Sequence, residues 1–134
     1  MTALLAAGTT LLLLDQWSKK TVRCLAPNRC LAWTPFLRLR YVTNLNRIYQ
    51  HRSALLIVWC VSLLSAVLLR HYGSWFHSQV SLIGLGLAFF GAAGNLLDIL
   101  RHRFVIDFID LGWWPVFNLA DIGIVGGLLL AFWH

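Results

Sequence analysis

The sequence has few charged residues and no glutamate. Charged residues make up 12% of the 134 residues and hydrophobic residues 59%, and the five acidic residues are aspartates at positions 15, 98, 107, 110 and 121. Soluble domains carry roughly twice that charged fraction. The composition therefore excludes an ordinary soluble protein and predicts one integral membrane domain over residues 1–134.

Cysteine is scarce and poorly spaced for metal binding. Cys24, Cys30 and Cys60 are odd in number and form no Cys-x-x-Cys or Cys/His ligand pattern. This argues against a zinc site and a disulfide framework, although a Cys24–Cys30 bond stays open if their loop faces an oxidising compartment. We also find no nucleotide-binding glycine loop, so we expect neither a metal nor a cofactor.

The charge that is present is mostly positive. The net charge is +6, and eight of the eleven lysines and arginines lie between Lys19 and Arg52. Such an excess can serve nucleic-acid binding, but in a chain this apolar it favours attraction to anionic headgroups. We therefore expect membrane lipids, and no nucleic acid, as partners.

Four apolar runs are each long enough, with their flanks, to cross a bilayer as a helix. The predicted helices cover about 3–22, 54–70, 80–98 and 116–133. Between the first two, residues 36–43 alternate apolar and polar side chains, which predicts a strand within a β element at about 34–46. The predicted fold is an all-α integral membrane protein with four transmembrane helices and a small β-cradle between helices 1 and 2.

Polar residues in the first helix need partners or water. Lys19 and Lys20 can extend to the headgroups. Asp15 has little reach, so we expect a structural role in which it accepts bonds from a neighbouring loop, with catalysis as the alternative.

Small residues recur every fourth position in the third run, at Gly84, Ala88 and Ala92, and Gly123 and Gly127 do so in the fourth. Such faces let helices approach closely within lipid.

One polar pattern occurs twice, as Asn95-Leu-Leu-Asp98 and Asn118-Leu-Ala-Asp121. The i, i+3 spacing puts Asn and Asp on one helix face. A short link makes helices 3 and 4 antiparallel, so Asp98 and Asp121 should lie at similar depth. Two carboxylates sharing one water cannot both ionise cheaply, and such a pair can activate water and protonate a leaving amine. The Asn side chains can orient the carboxylates.

Other roles remain open for this pattern. Each Asn-x-x-Asp can satisfy amides at a helix end. Transport and the binding of a pigment or lipid also use intramembrane carboxylates.

Five stretches carry a resemblance to a known family: Asp15–Lys19, Tyr41–Asn44, Gly94–Asp98, Val105–Asp110 and Phe117–Asp121. In order and spacing they resemble the motifs of lipoprotein signal peptidase (signal peptidase II), the bacterial intramembrane aspartyl protease. The resemblance implies four transmembrane helices, a β-cradle after the first, and a catalytic pair that falls on Asp98 and Asp121.

The resemblance also implies a substrate and supporting residues. The substrate would be a diacylglyceryl-modified prolipoprotein, cut on the amino side of its lipidated cysteine. Asn44, Asn95 and Asn118 would be polar residues of the site, with Asp15 and Lys19 structural or supporting. The protein would lie in the bacterial cytoplasmic (inner) membrane as a multi-pass protein, with its active site towards the outer face.

The chain departs from the family pattern at three places. Asn46–Tyr49 replaces a stretch of small residues, Ile99 replaces an arginine, and Arg103 replaces a glycine. The alternative interpretation is a catalytically inactive relative that acts as a lipid-binding or accessory subunit of a larger membrane complex. Orientation has an alternative too. Ten of the eleven lysines and arginines lie in the last turn of helix 1 or in the loops after helices 1 and 3, and by the positive-inside rule those loops would be cytoplasmic.

Overall fold

A computed structural model describes residues 2–24, 30–34, 37–45, 51–73 and 75–133. The described chain forms four helices and three strands. In order they are α1 (Thr2–Arg23), β1 (Cys30–Thr34), β2 (Leu37–Asn44), α2 (Arg52–Tyr72), α3 (Gln79–His102), β3 (Val105–Asp110) and α4 (Leu119–Ala131). The protein is therefore mostly helical with a small sheet, as predicted.

The four helices differ in length and apolar composition, which decide whether a helix can cross a membrane. α2 and α3 are long and apolar enough, with 21 and 24 residues and mean hydropathies of 2.1 and 1.8. α1 has 22 residues, but its second half carries Asp15, Lys19, Lys20 and Arg23. α4 has 13 residues, fewer than the ~20 that span a bilayer. Length and composition thus support two spans directly.

α3 is the central helix and packs between α1 and α4. The predicted small-residue faces of helices 3 and 4 meet each other, since a Cβ on Gly127 would lie 2.5 Å from the Ala88 nitrogen and 2.6 Å from the Gly84 oxygen. Those neighbours are backbone atoms that a side chain cannot displace. Glycine at this position therefore allows the two helix backbones to touch.

α2 stands apart from the other helices and buries none of its residues. Its indole at Trp59 donates from Nε1 to the Phe89 carbonyl of α3 at 3.1 Å. This bond holds α2 against α3 near its middle, and the space beside it remains open.

The sheet has three antiparallel strands in the order β1-β2-β3. The predicted β element at about 34–46 corresponds to part of β1 and to β2, but β3 comes from the connection after helix 3, where we predicted no strand. Most of Val105–Asp110 is buried, so the segment lacks the alternation that marks a half-exposed strand.

The connection from β3 to α4 folds back on itself. Phe117 and Ile109 exchange backbone hydrogen bonds of 3.1 and 2.8 Å. This pairing brings the next residue, Asn118, beside β3, so that the start of α4 lies next to Asp107.

Candidate active site

A buried lysine joins α1 to α3. Lys19 is 2% exposed, and its Nζ lies 2.8 Å from Asp15 Oδ2, 2.8 Å from Asp98 Oδ2 and 3.0 Å from Asn95 Oδ1. An ammonium has three hydrogens, and three acceptors surround this one. The expectation that Lys19 extends to the headgroups is wrong, because Lys19 turns inward while its neighbour Lys20 is exposed.

Asp15 holds this cluster to the start of α4. Its Oδ1 accepts from the Ala120 backbone nitrogen at 2.9 Å. That nitrogen is one of the first amides of α4, which have no partner within the helix. The residue has the bonding of a structural aspartate, between Lys19 and a helix N-terminus.

Asp98 lies within the Lys19 cluster rather than beside Asp121. It is 3% exposed, its Oδ1 accepts from Gln16 Nε2 at 3.2 Å, and its Oδ2 accepts from the Ile106 nitrogen at 3.4 Å in addition to Lys19. The predicted pairing of Asp98 with Asp121 therefore stays a prediction, and the partners that Asp98 has among the described residues belong to α1 and β3. Lys19 of α1 gives this carboxylate a cation, which Asp98 shares with Asp15.

Asp121 is bound by amides. Its Oδ1 accepts from Asn95 Nδ2 at 2.8 Å and its Oδ2 from the Asn118 backbone nitrogen at 3.1 Å. Asn118 is the N-cap of α4 and accepts in return from the Asp121 nitrogen, which completes a capping box. Asn95 therefore bonds the aspartate of another helix, and not Asp98 one turn later in its own.

Asn118 joins Asp121 to a second aspartate. Its side chain is fully buried, and Nδ2 lies 2.8 Å from Asp107 Oδ1 and 3.1 Å from Asn95 Oδ1. The same residue thus donates to Asp107 from its side chain and to Asp121 from its backbone. Asp107 was missed by the search for Asn-x-x-Asp steps. The available signal was an aspartate inside a β-branched, aromatic segment, where Asp is disfavoured.

Asn44 completes the surroundings of Asp107. Its Nδ2 donates to Asp107 Oδ2 at 3.1 Å, across the β2–β3 pairing. Burial raises the pKa of the Asp107 carboxyl above its ordinary value, while the Asn44 amide opposes that shift and the nearby Asp121 charge adds to it. Burial in this place therefore favours the protonated form of the Asp107 carboxyl.

The structure brings six of the seven predicted site residues into two linked groups, with Asn44 at their edge. Asp15, Lys19 and Asp98 form the charged group, and Asn95 connects it to Asp121 and Asn118. The Asn46–Tyr49 departure lies outside the described residues. At the other two departures, Ile99 is buried, and Arg103 has a φ of 66° at the C-terminus of α3.

Two cavities border these groups. One, of about 610 Å³, lies between α2, α3 and α4, and apolar side chains such as Val58, Phe89 and Leu128 form most of its wall, with Asn95 among them. The other, of about 380 Å³, is more open and reaches Asn44 and Asp107 beside Thr43 and Pro115. Asp107, although buried, thus borders a cavity that opens outside the bundle, and Asn95 borders the apolar space.

The family model described as signal peptidase (SPase) II matches residues 8–134. The chain belongs to the signal peptidase II family. Among curated relatives, a lipoprotein signal peptidase of Pelotomaculum thermopropionicum is 36% identical over 127 residues, which cover 91% of this chain and 84% of the relative. Another, of Moorella thermoacetica, is 37% identical over 128 residues, covering 92% of this chain and 85% of the relative.

The fold also has a counterpart among solved structures. A bacterial membrane enzyme determined by the in meso method at 1.9 Å resolution superposes with a TM-score of 0.84, at 21% identity, over 97% of this chain and 90% of the other. At that identity the likeness concerns the fold alone. The signal peptidase II family member described here is therefore a protease homologue with the fold of a membrane enzyme.

Proposed function

We propose that this chain is an aspartic endopeptidase that removes signal peptides from diacylglyceryl-modified prolipoproteins, with Asp107 and Asp121 as its acid/base pair. The observation that carries the pair is Asn118, which donates to both carboxylates, at 2.8 Å to Asp107 and 3.1 Å to Asp121. Family membership and the names of the relatives support the reaction.

The bonding of the two carboxylates suits proton exchange. Each of their four oxygens receives one N–H, from Asn44, Asn95 or Asn118. Amide donors orient a carboxylate without supplying a positive charge. Asp98, by contrast, is paired with an ammonium and would lose that pairing on taking up a proton.

The roles of the two carboxyls follow from their surroundings. Asp107, whose pKa burial raises, supplies the proton, and half-buried Asp121 is the base that takes a proton from water. The activated water attacks the scissile carbonyl, and the Asp107 proton goes to the departing amine. Two neighbouring carboxyls commonly divide the acid and base roles in this way.

The cavities suit a substrate that is part peptide and part lipid. The open cavity beside Asn44 and Asp107 gives a polypeptide access to the carboxyl of β3. The apolar cavity beside α2 begins at Asn95, which also bonds Asp121, and is bounded mainly by hydrocarbon. An acyl chain can occupy it without leaving polar groups unsatisfied, because the hydroxyls of Ser62 and Ser65 bond carbonyls of their own helix.

We further propose that all four helices cross the bacterial cytoplasmic membrane and that the sheet faces outward. α2 and α3 meet the length and composition of membrane spans. The charged residues of α1 lie at the end of the helix nearest the sheet, so the apolar remainder of that helix can lie within the lipid. Outward orientation would place the site where lipid-modified prolipoproteins present their signal peptides.

Cleavage of a lipidated prolipoprotein by the purified chain in a lipid bilayer tests this proposal. Asp107→Asn and Asp121→Asn should each abolish cleavage, because removing a group that acts in the transition state removes most of the rate. Asp98→Asn should retain part of it per folded molecule, since Lys19 keeps Asp15 as a counter-ion.

The outcomes separate the possible pairs. Full activity of Asp107→Asn, together with complete loss in a folded Asp98→Asn protein, would assign catalysis to Asp98 and Asp121 instead. Absence of cleavage by the unmodified chain at every lipid composition would leave the inactive-subunit interpretation. Circular dichroism and gel filtration of each variant establish that the fold is retained.

A further inference from the structure

Five cationic side chains lie at the helix ends nearest the sheet. Lys20 and Arg23 lie in the last turn of α1, Arg52 begins α2, Arg101 lies in the last turn of α3 and Arg103 follows that helix. We call these five residues the basic rim. Four of them are exposed and Arg52 is half-buried, so the rim lies at the surface of the protein.

Contacts between the helices hold three of the rim residues against neighbouring helices. Arg23 Nη1 lies 2.9 Å from His102 Nε2, Arg52 Nη1 donates to the Leu100 carbonyl at 3.3 Å, and Arg101 Nη1 donates to Gln16 Oε1 at 3.4 Å. None of these three partners is a carboxylate, so the contacts position the cations without pairing them with an acid.

The aspartates of the chain are engaged elsewhere. Asp15 and Asp98 pair with Lys19, and amides bind Asp107 and Asp121. Asp110 lies 3.8 Å from Arg40 on the sheet. Over the described residues, no carboxylate lies within ion-pairing distance of a rim cation, so the rim is an uncompensated positive surface.

Helix dipoles explain only part of this arrangement. Cations are favoured at the C-termini of helices, where α1 and α3 present carbonyl groups. Arg52, however, occupies the first position of α2, where a helix dipole disfavours a cation. Arg103 adopts a left-handed conformation, with a φ of 66°, which a glycine would adopt at lower cost. Arg103 is the C-cap residue of α3, and its backbone N–H donates to the Ile99 carbonyl.

We infer that the basic rim binds the phosphate groups of anionic phospholipids in the leaflet at this end of the helices. The source is lipid rather than free phosphate because apolar surface continues directly from the rim. Trp17, one turn before Lys20, is 66% exposed, and Leu13 before it is 70% exposed. Tryptophan at headgroup level beside lysine and arginine is the usual arrangement at a membrane interface.

Native mass spectrometry of the detergent-solubilised chain tests the inference with phosphatidylglycerol and phosphatidylcholine of equal acyl length. We expect tighter binding of phosphatidylglycerol. Arg23→Gln combined with Arg101→Gln should weaken it by about fivefold for each cation removed. Arg70→Gln, at the other end of α2, is the control and should leave the affinity unchanged.

Three results would overturn the inference. Equal affinity of the unmodified chain for the two lipids would show that the rim does not select negative charge. Undiminished phosphatidylglycerol binding by the double variant would place any such site elsewhere. Displacement of the lipid by inorganic phosphate alone would indicate a free-anion site. The test is independent of proteolysis, so its outcome does not depend on whether the chain cleaves prolipoproteins.

Discussion

The buried lysine of α1, Lys19, should make a large contribution to the stability of the fold. Lys19→Met keeps an unbranched side chain but removes the cation that lies 2.8 Å from both Asp15 and Asp98. Two buried carboxylates would then face each other without a counter-ion. Removing one partner of a buried ion pair costs about 3–5 kcal/mol. For a chain of this size, that lowers the unfolding midpoint by roughly 10 °C or more.

Thermal unfolding in a single detergent at neutral pH measures the effect. Lys20→Met is the matched control, because it removes the same charge from the adjacent, exposed position, where a change within about 0.5 kcal/mol is expected. Combining Lys19→Met with Asp98→Asn should recover part of the loss. Acidification should reduce the difference in unfolding temperature between Lys19→Met and the unmodified chain, since a protonated carboxyl needs no counter-ion.

Equal unfolding temperatures of Lys19→Met and Lys20→Met would contradict a buried ion cluster around Lys19. Equal stability would mean that Lys19 reaches the membrane surface, as its position near a helix end first indicated. A loss in Lys19→Met that acid does not reduce would assign the effect to packing rather than charge.

Two further predictions concern helix packing and the acid/base pair. Gly127→Ala should destabilise the chain by about 1–3 kcal/mol, because the added Cβ would press on the backbone of α3. Gly126→Ala is the control and should not destabilise it, since nothing lies within 4 Å of its Cβ. Equal unfolding midpoints of the two variants would contradict the close contact between the helices. Asn44→Leu removes an amide that opposes the raised pKa of Asp107, so the pKa should rise further and the alkaline limb of the cleavage profile should move to higher pH. An unchanged or lowered alkaline limb would contradict the role of Asp107 as the acid.

Much of the architecture could be predicted from the sequence because membrane helices depend on local properties. Apolar length predicts where a helix forms, and the four helices occur where the four apolar runs lie. The repeated small residues also indicated which faces approach, since only backbone-to-backbone contact requires a series of residues without bulk.

The third strand could not be predicted by the same means. Periodicity reveals a strand when one of its faces is exposed, but Val105–Asp110 is covered on both faces. Its pairing with Leu37–Asn44 joins segments more than sixty positions apart, and nothing in either segment alone specifies the other. The composition of β-branched and aromatic residues was the available signal, and it indicates a strand without indicating a partner.

The contacts of Asp98 illustrate the same limit of sequence patterns and bear on the candidate site. Spacing along one helix shows that Asn95 and Asp98 share a face, but it does not show which neighbour reaches that face first. Lys19 reaches Asp98, so that carboxylate becomes a counter-ion. Asp107 and Asp121 are instead held by asparagine amides, which orient a carboxylate and leave its proton free to exchange. Three neighbouring aspartates thus differ in the groups that bind them. These binding partners, rather than the repeated Asn-x-x-Asp step, distinguish the structural carboxylate of Asp98 from the two carboxylates proposed to act on water.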